Sequence, residues 1–124
     1  MNDISPSPAE LTVLKHLWAV GPQSARETHK VVAGPMGWSP STTRTVLTRM
    51  VQKGLVTKAD SHGLAVFEAK VRKVDLIGRM IREFTEDVLE LRGPLPSTAF
   101  TNSDLLSDDE ANDLMKLLDE ERSE

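Results

Sequence analysis

Four times in this chain a serine stands directly ahead of residues with helical hydrophobic spacing. Ser7-Pro8-Ala9-Glu10, Ser24-Ala25-Arg26-Glu27 and Ser107-Asp108-Asp109-Glu110 each place a glutamate three residues after the serine. Ser39-Pro40 places a proline immediately after it. In a Ser-x-x-Glu capping box the hydroxyl and the carboxylate each satisfy an amide that a helix start leaves unpaired. A proline at the first helical position has no amide to leave unpaired. Four helix starts are therefore expected, and a fifth helical pattern runs from about Arg72 to Arg92 through Val74, Ile77, Ile81, Phe84, Val88 and Leu91.

Stop signals divide these helices. Leu11, Leu14, Leu17 and Trp18 line one face of the first, which Gly21-Pro22 should end. The second should run through Val31 and Val32 to Gly34-Pro35, leaving a rather long turn before the third, Pro40–Lys53, which stops at Gly54. Leu55–Asp60 and Leu64–Val71 then read as strands around Ser61-His62-Gly63, with Ala65, Phe67 and Ala69 on one side. Gly93-Pro94-Leu95-Pro96 separates the last two helices, and Leu114, Leu117 and Leu118 share a face of the final one. The expected fold is mainly α with a small β-hairpin. A winged helix-turn-helix domain spans 1–72 and a two-helix C-terminal region spans 73–124.

Several function classes fall away. The chain has no cysteine, so disulfides, thiolate metal sites and thiol chemistry are excluded, which fits a reducing cytoplasm. No apolar run approaches the ~18–20 residues that span a bilayer, and the N-terminus lacks the basic start and apolar core of a signal peptide. A cytoplasmic protein with no membrane partner is expected. His16, His29 and His62 are scattered without ligand spacing, no phosphate-binding loop is present, and no catalytic constellation is legible. No cofactor, no metal and no enzymatic activity are expected. Trp18 and Trp38 read as core anchors, and Met36, Met50, Met80 and Met115 as fillers.

The net charge of −4 conceals an asymmetry. Residues 1–73 hold ten Lys/Arg against five Asp/Glu, whereas residues 74–124 hold five against fourteen. A basic front and an acidic back suit an anionic partner approached in one orientation.

The helix Pro40–Lys53 makes that partner specific. At about 100° per residue, Ser41, Thr42, Arg44, Thr45, Thr48, Arg49, Gln52 and Lys53 occupy one half of the wheel. Thr43, Val46, Leu47, Met50 and Val51 occupy the other. The polar half contains no carboxylate, although a merely solvated helix face usually mixes both signs. Hydroxyls, guanidiniums and an amide match phosphates and base edges: Arg pairs with guanine, and Thr offers a hydroxyl and a methyl. Arg44 and Thr45 are the expected base contacts. Lys30, Lys53, Lys58 and Lys70 are expected at phosphates, and Lys58 and His62 on the wing.

Two antiparallel C-terminal helices form only a thin layer. A second copy is the expected cover, with Val74, Ile77, Ile81, Phe84, Val88, Leu91, Leu114, Leu117 and Leu118 at a two-fold interface. The partners expected are thus double-stranded operator DNA and a second copy of the chain. A winged-helix protein-interaction module and a DNA-binding activator are the alternative readings.

Residues 38–56, beginning Trp38-Ser39-Pro40-Ser41-Thr42-Thr43-Arg44-Thr45, resemble the WSPxTxxTxxxRLxxKG-like signature of the penicillinase and methicillin-resistance repressor family. Leu11–Trp18, Gly21–Ala25 and Leu105–Glu110 resemble its first helix, the following corner and the start of its last helix. The resemblance implies a cytoplasmic homodimer repressing transcription from a pseudo-palindromic operator. It also implies DNA contacts at Ser41, Thr42, Arg44, Thr45 and Arg49. Family members commonly carry Gly-Arg near the wing tip, but here Leu64 follows Gly63. Some relatives are inactivated by cleavage between Asn and Phe, where this chain has Ala99-Phe100, so a regulatory protease stays unassigned.

Overall fold

The computed structural model describes residues 5–92, 97–100 and 102–122. They form two compact units, Met1–Val71 and Arg72–Glu124.

The first unit is a winged helix. In order it contains α1 (Pro8–Val20), β1 (Gln23–Ser24), α2 (Ala25–Met36), α3 (Pro40–Lys53), β2 (Val56–Ser61) and β3 (Leu64–Ala69). Both expected capping boxes are formed: the Ser7 hydroxyl accepts from the Glu10 amide and Glu10 accepts from the Ser7 amide, and Ser24 and Glu27 repeat the exchange. Val13, Leu14 and Leu17 of α1, Val32 of α2, Leu47 and Met50 of α3, and Leu55, Val56 and Phe67 are covered from solvent. Each such side chain stabilises the fold by about 1.5–3 kcal/mol relative to exposure. The half-buried Trp18 ties the unit's end to α1, its indole donating to the Val71 carbonyl at 3.1 Å.

Three details depart from expectation. First, α2 runs through Gly34-Pro35 to Met36. Pro35 removes the amide that would pair with the Val31 carbonyl, but Val31 is exposed, so water can serve that oxygen. The stop comes instead at Gly37, left-handed at φ 68°, whose amide bonds the Ala33 carbonyl. The α2–α3 turn is thereby short, Gly37-Trp38-Ser39. Second, the hairpin turn has two residues, because Ser61 pairs with Leu64. His62 (φ 54°) and Gly63 (φ 80°) both take positive φ, as a tight hairpin of this twist requires. Third, β1 pairs antiparallel with β3, Gln23 opposite Phe67 and Ser24 opposite Val66, giving a three-stranded sheet of order β1-β3-β2. Two residues, the second of them the cap of α2, carry no alternation from which a strand could be read.

The second unit contains α4 (Lys73–Glu83), a π-helical turn (Phe84–Val88), a 3-10 turn (Ser97–Phe100) and α5 (Asp108–Arg122). The expected regular helix to Arg92 therefore stops early. The Leu89 amide bonds the Phe84 carbonyl, and Glu90 is left-handed at φ 55°. The expected break at Gly93-Pro94-Leu95-Pro96 lies outside the described residues. α4 and α5 pack where Gly78 leaves room for Leu114 and Leu117, and Lys73 pairs with Glu110 at 3.0 Å. The capping box at Ser107 and Glu110 is formed.

Candidate nucleic-acid interface

The surface of interest is the open side of α3. Ser39 starts this helix by accepting the Thr42 amide at 3.1 Å, Pro40 follows, and left-handed Gly54 ends it. Thr43, Leu47 and Met50 are buried, and Val46 and Val51 half-buried. Ser41, Thr42, Arg44, Thr45, Thr48, Arg49, Gln52 and Lys53 are all exposed. The covered and open sides are the apolar and polar halves expected from the wheel, and α3 contains no acidic residue.

Local hydrogen bonds define what this face offers. Thr45 donates its hydroxyl proton to the Ser41 carbonyl at 3.1 Å, so toward a partner it presents an acceptor and a methyl. The Thr42 hydroxyl lies 3.1 Å from that of Ser39. Beneath the helix, buried Thr43 meets the imidazole Nδ1 of His29 at 2.7 Å, tying α3 to α2.

Lys53, expected at a phosphate, also has partners within the fold. Its ammonium lies 2.6 Å from the carboxylate of buried Glu10 and 3.4 Å from the Ser5 carbonyl. Burial pushes the Glu10 pKa up. The Lys53 hydrogen bond and charge, with the Ser7 amide and hydroxyl, outweigh that and hold it below the ordinary value. The pair with this covered carboxylate ties α3 to α1, while the Lys53 side chain stays 37% exposed.

On the wing, Lys58 of β2 is exposed, with its ammonium 6.0 Å from the ring centroid of Phe67. His62 is exposed at the tip. The sequence gives no motif for the remaining basic feature. An open hollow between the first turns of α2 and α3 is lined by Ala25, Arg26, His29, Lys30, Pro40 and Arg44. Arg26 and His29 carry no signature of their own, and only the short α2–α3 turn brings them beside Arg44.

Within the second unit the residues expected at a dimer interface separate into two sets. Leu114 and Leu118 are already covered within the single chain, and Val74, Ile77, Ile81 and Leu117 are half-buried. Phe84, Val88 and Leu91 remain 52%, 63% and 46% exposed, beside Leu89 at 49%. No group of three or more metal-ligating side chains occurs among the described residues, and no described helix is long and apolar enough to cross a membrane.

The penicillinase repressor family model matches residues 6–120. The penicillinase repressor of Bacillus licheniformis is 29% identical over 119 residues, covering 94% of this chain and 91% of its own. The methicillin resistance regulatory protein MecI of Staphylococcus aureus is 26% identical over 114 residues, covering 90% and 91%. Among solved structures, monomeric Bacillus licheniformis BlaI in complex with the blaP half-operator superposes with a TM-score of 0.53. It is 29% identical and covers 60% of this chain and 93% of that one. The solution structure of the DNA-binding domain of the repressor BlaI gives a TM-score of 0.51 at 28% identity, covering 59% and 90%.

Proposed function

The chain belongs to the penicillinase repressor family, and from that premise we propose that it is a transcriptional repressor which binds operator DNA through α3 and has no catalytic activity. One observation carries the reading: α3 presents an open, acid-free face of hydroxyls and guanidiniums on a winged helix like that of BlaI solved with a half-operator. Such a face fits the major groove, with Ser41, Thr42, Thr45, Thr48 and Arg49 toward bases and sugar-phosphate. Lys58 and His62 on the wing meet the backbone alongside.

Repression proceeds by occlusion of the operator by a homodimer. The exposed strip Phe84, Val88, Leu89 and Leu91 in the second unit supports that assembly, because large apolar side chains clustered in water favour a partner surface. A two-fold pair presents two α3 helices about 34 Å apart, or a multiple of it, on one face of the duplex. The protein acts in the cytoplasm.

The test is a mobility-shift titration at about 150 mM salt with a duplex selected from a random pool by the full-length protein, against the same bases scrambled. A preference of about several hundredfold or more supports sequence-specific binding. Equal binding to both duplexes, or none, overturns it.

A further inference from the structure

We propose that the hollow between the first turns of α2 and α3 seats one phosphate group, with Arg26, Lys30 and Arg44 as its cationic wall, and that Arg44 therefore positions the protein rather than reads a base. Where the phosphate belongs to a DNA backbone, this inference rests on the DNA-binding reading above. Where it belongs to a free phosphorylated compound, it stands apart from it.

Four observations lead there. The hollow's six lining residues include three permanent or near-permanent cations and no carboxylate. Arg26 and Arg44 form no ion pair among the described residues. The nearby acid, Glu27, is committed elsewhere: it accepts the Ser24 amide at 2.9 Å and reaches Lys30 only through its field. Second, Ala25 and Pro40 are the first residues of their helices, so two positive helix ends border the space.

Third, the imidazole of His29 is fixed by its 2.7 Å contact with Thr43, which leaves Nε2 without a hydrogen bond in the described structure. In the tautomer that carries its proton on Nε2, this ring supplies a donor with no net charge. Fourth, among the open polar side chains of α3 only Arg44 lines the hollow. It lies at the edge of the polar half nearest α2, whereas Ser41, Thr45, Thr48 and Gln52 occupy its middle. A side chain at that margin meets the groove wall, where the phosphates are, before it meets the groove floor.

The two roles predict different losses. A phosphate contact, once removed, weakens binding to every sequence alike and flattens the salt dependence by about one charge. A base contact, once removed, erodes preference for the selected duplex.

The experiment uses the full-length protein and its Arg26→Gln, Lys30→Gln and Arg44→Gln variants, all at exposed positions. Affinity is measured from low to high salt on the selected and scrambled duplexes. In parallel, inorganic phosphate is titrated at constant ionic strength while the amide signals of residues 25–30 are followed by NMR. Each variant is expected to bind both duplexes about three- to tenfold more weakly, with the log–log salt slope about one unit shallower and the preference ratio unchanged.

A saturable phosphate response lost in Arg26→Gln identifies a free phosphate compound as a source, and its absence beside the duplex effect identifies the DNA backbone. Phosphate binding without any duplex binding keeps the seat and overturns the DNA reading. Duplex binding unaltered by all three variants, with no phosphate response, overturns the seat. A loss in Arg44→Gln confined to the selected duplex overturns the positioning role of Arg44.

Discussion

Lys53→Met separates two roles open to one ammonium: the phosphate contact expected from the sequence and the pair with Glu10 seen in the structure. The Lys53 side chain is 37% exposed and that of Glu10 only 9%, with 2.6 Å between the charged atoms. Fully exposed pairs contribute under ~1 kcal/mol, and breaking a fully buried pair costs about 3–5 kcal/mol. This pair lies between those limits. Methionine keeps most of the aliphatic stem, so lost packing adds little, and the orphaned carboxylate still accepts from the Ser7 amide. A loss of about 1–2 kcal/mol follows, roughly a 5–12 °C fall in the melting temperature of a unit this size. Glu10→Gln in the same chain should restore part of it, because a neutral amide needs no cation. Calorimetry on the four proteins of the cycle measures the coupling, and salt titration of duplex binding measures the charge presented to DNA. The salt slope should stay unchanged at a temperature where all four are folded. If Lys53→Met leaves stability intact and flattens the slope by about one, the ammonium serves phosphate and the anchoring role is wrong.

Acid should destabilise the protein through its capping boxes. Glu10, Glu27 and Glu110 all hold pKa values below the ordinary 4.5, so the unfolded chain binds more protons. Their contribution is complete above that value and disappears as pH falls through the folded values. Melting temperature should decline below about pH 5, less steeply in Glu10→Gln, and an unchanged slope in that variant would count against Glu10. Gly78→Val should cost about 1–3 kcal/mol in denaturant unfolding, because even a first added carbon would lie 2.9 Å from Leu117 and 3.3 Å from Leu114. Leu117→Ala in the same chain should recover part of it, and no recovery would place the strain elsewhere. Val88→Glu should yield monomers by analytical ultracentrifugation and weaken full-operator binding far more than half-site binding. A dimer that persists in that variant would remove the exposed strip from the interface.

Much of the fold is legible because its signals are local. Each Ser-x-x-Glu box is self-contained within four residues, and all three are formed. The apolar half of α3 is equally local, since 3.6-residue periodicity decides which side chains the core receives. Features that depend on chain segments meeting are not legible. β1 exists because β3 lies beside it, and nothing in Gln23-Ser24 announces a strand. The passage of α2 through Pro35 depends on the exposure of Val31, which a sequence does not display. Likewise, Lys53 reads as one more cation on a basic helix until folding brings it to Glu10. The hollow is the same kind of case, because Arg26 and Arg44 are far apart in sequence and meet only through the short turn that the longer α2 permits.

Ser24 holds two posts at once. It pairs with Val66 at the sheet edge and caps the first turn of α2. Hairpin and helix are consequently joined at a single residue, with no slack between them. The sheet edge thus leads directly into α2, and the His29–Thr43 contact links α2 in turn to α3. On the proposed reading, groove and wing contacts on one half-site are made in register, and a duplex whose groove width suits one but not the other is disfavoured without any base being touched.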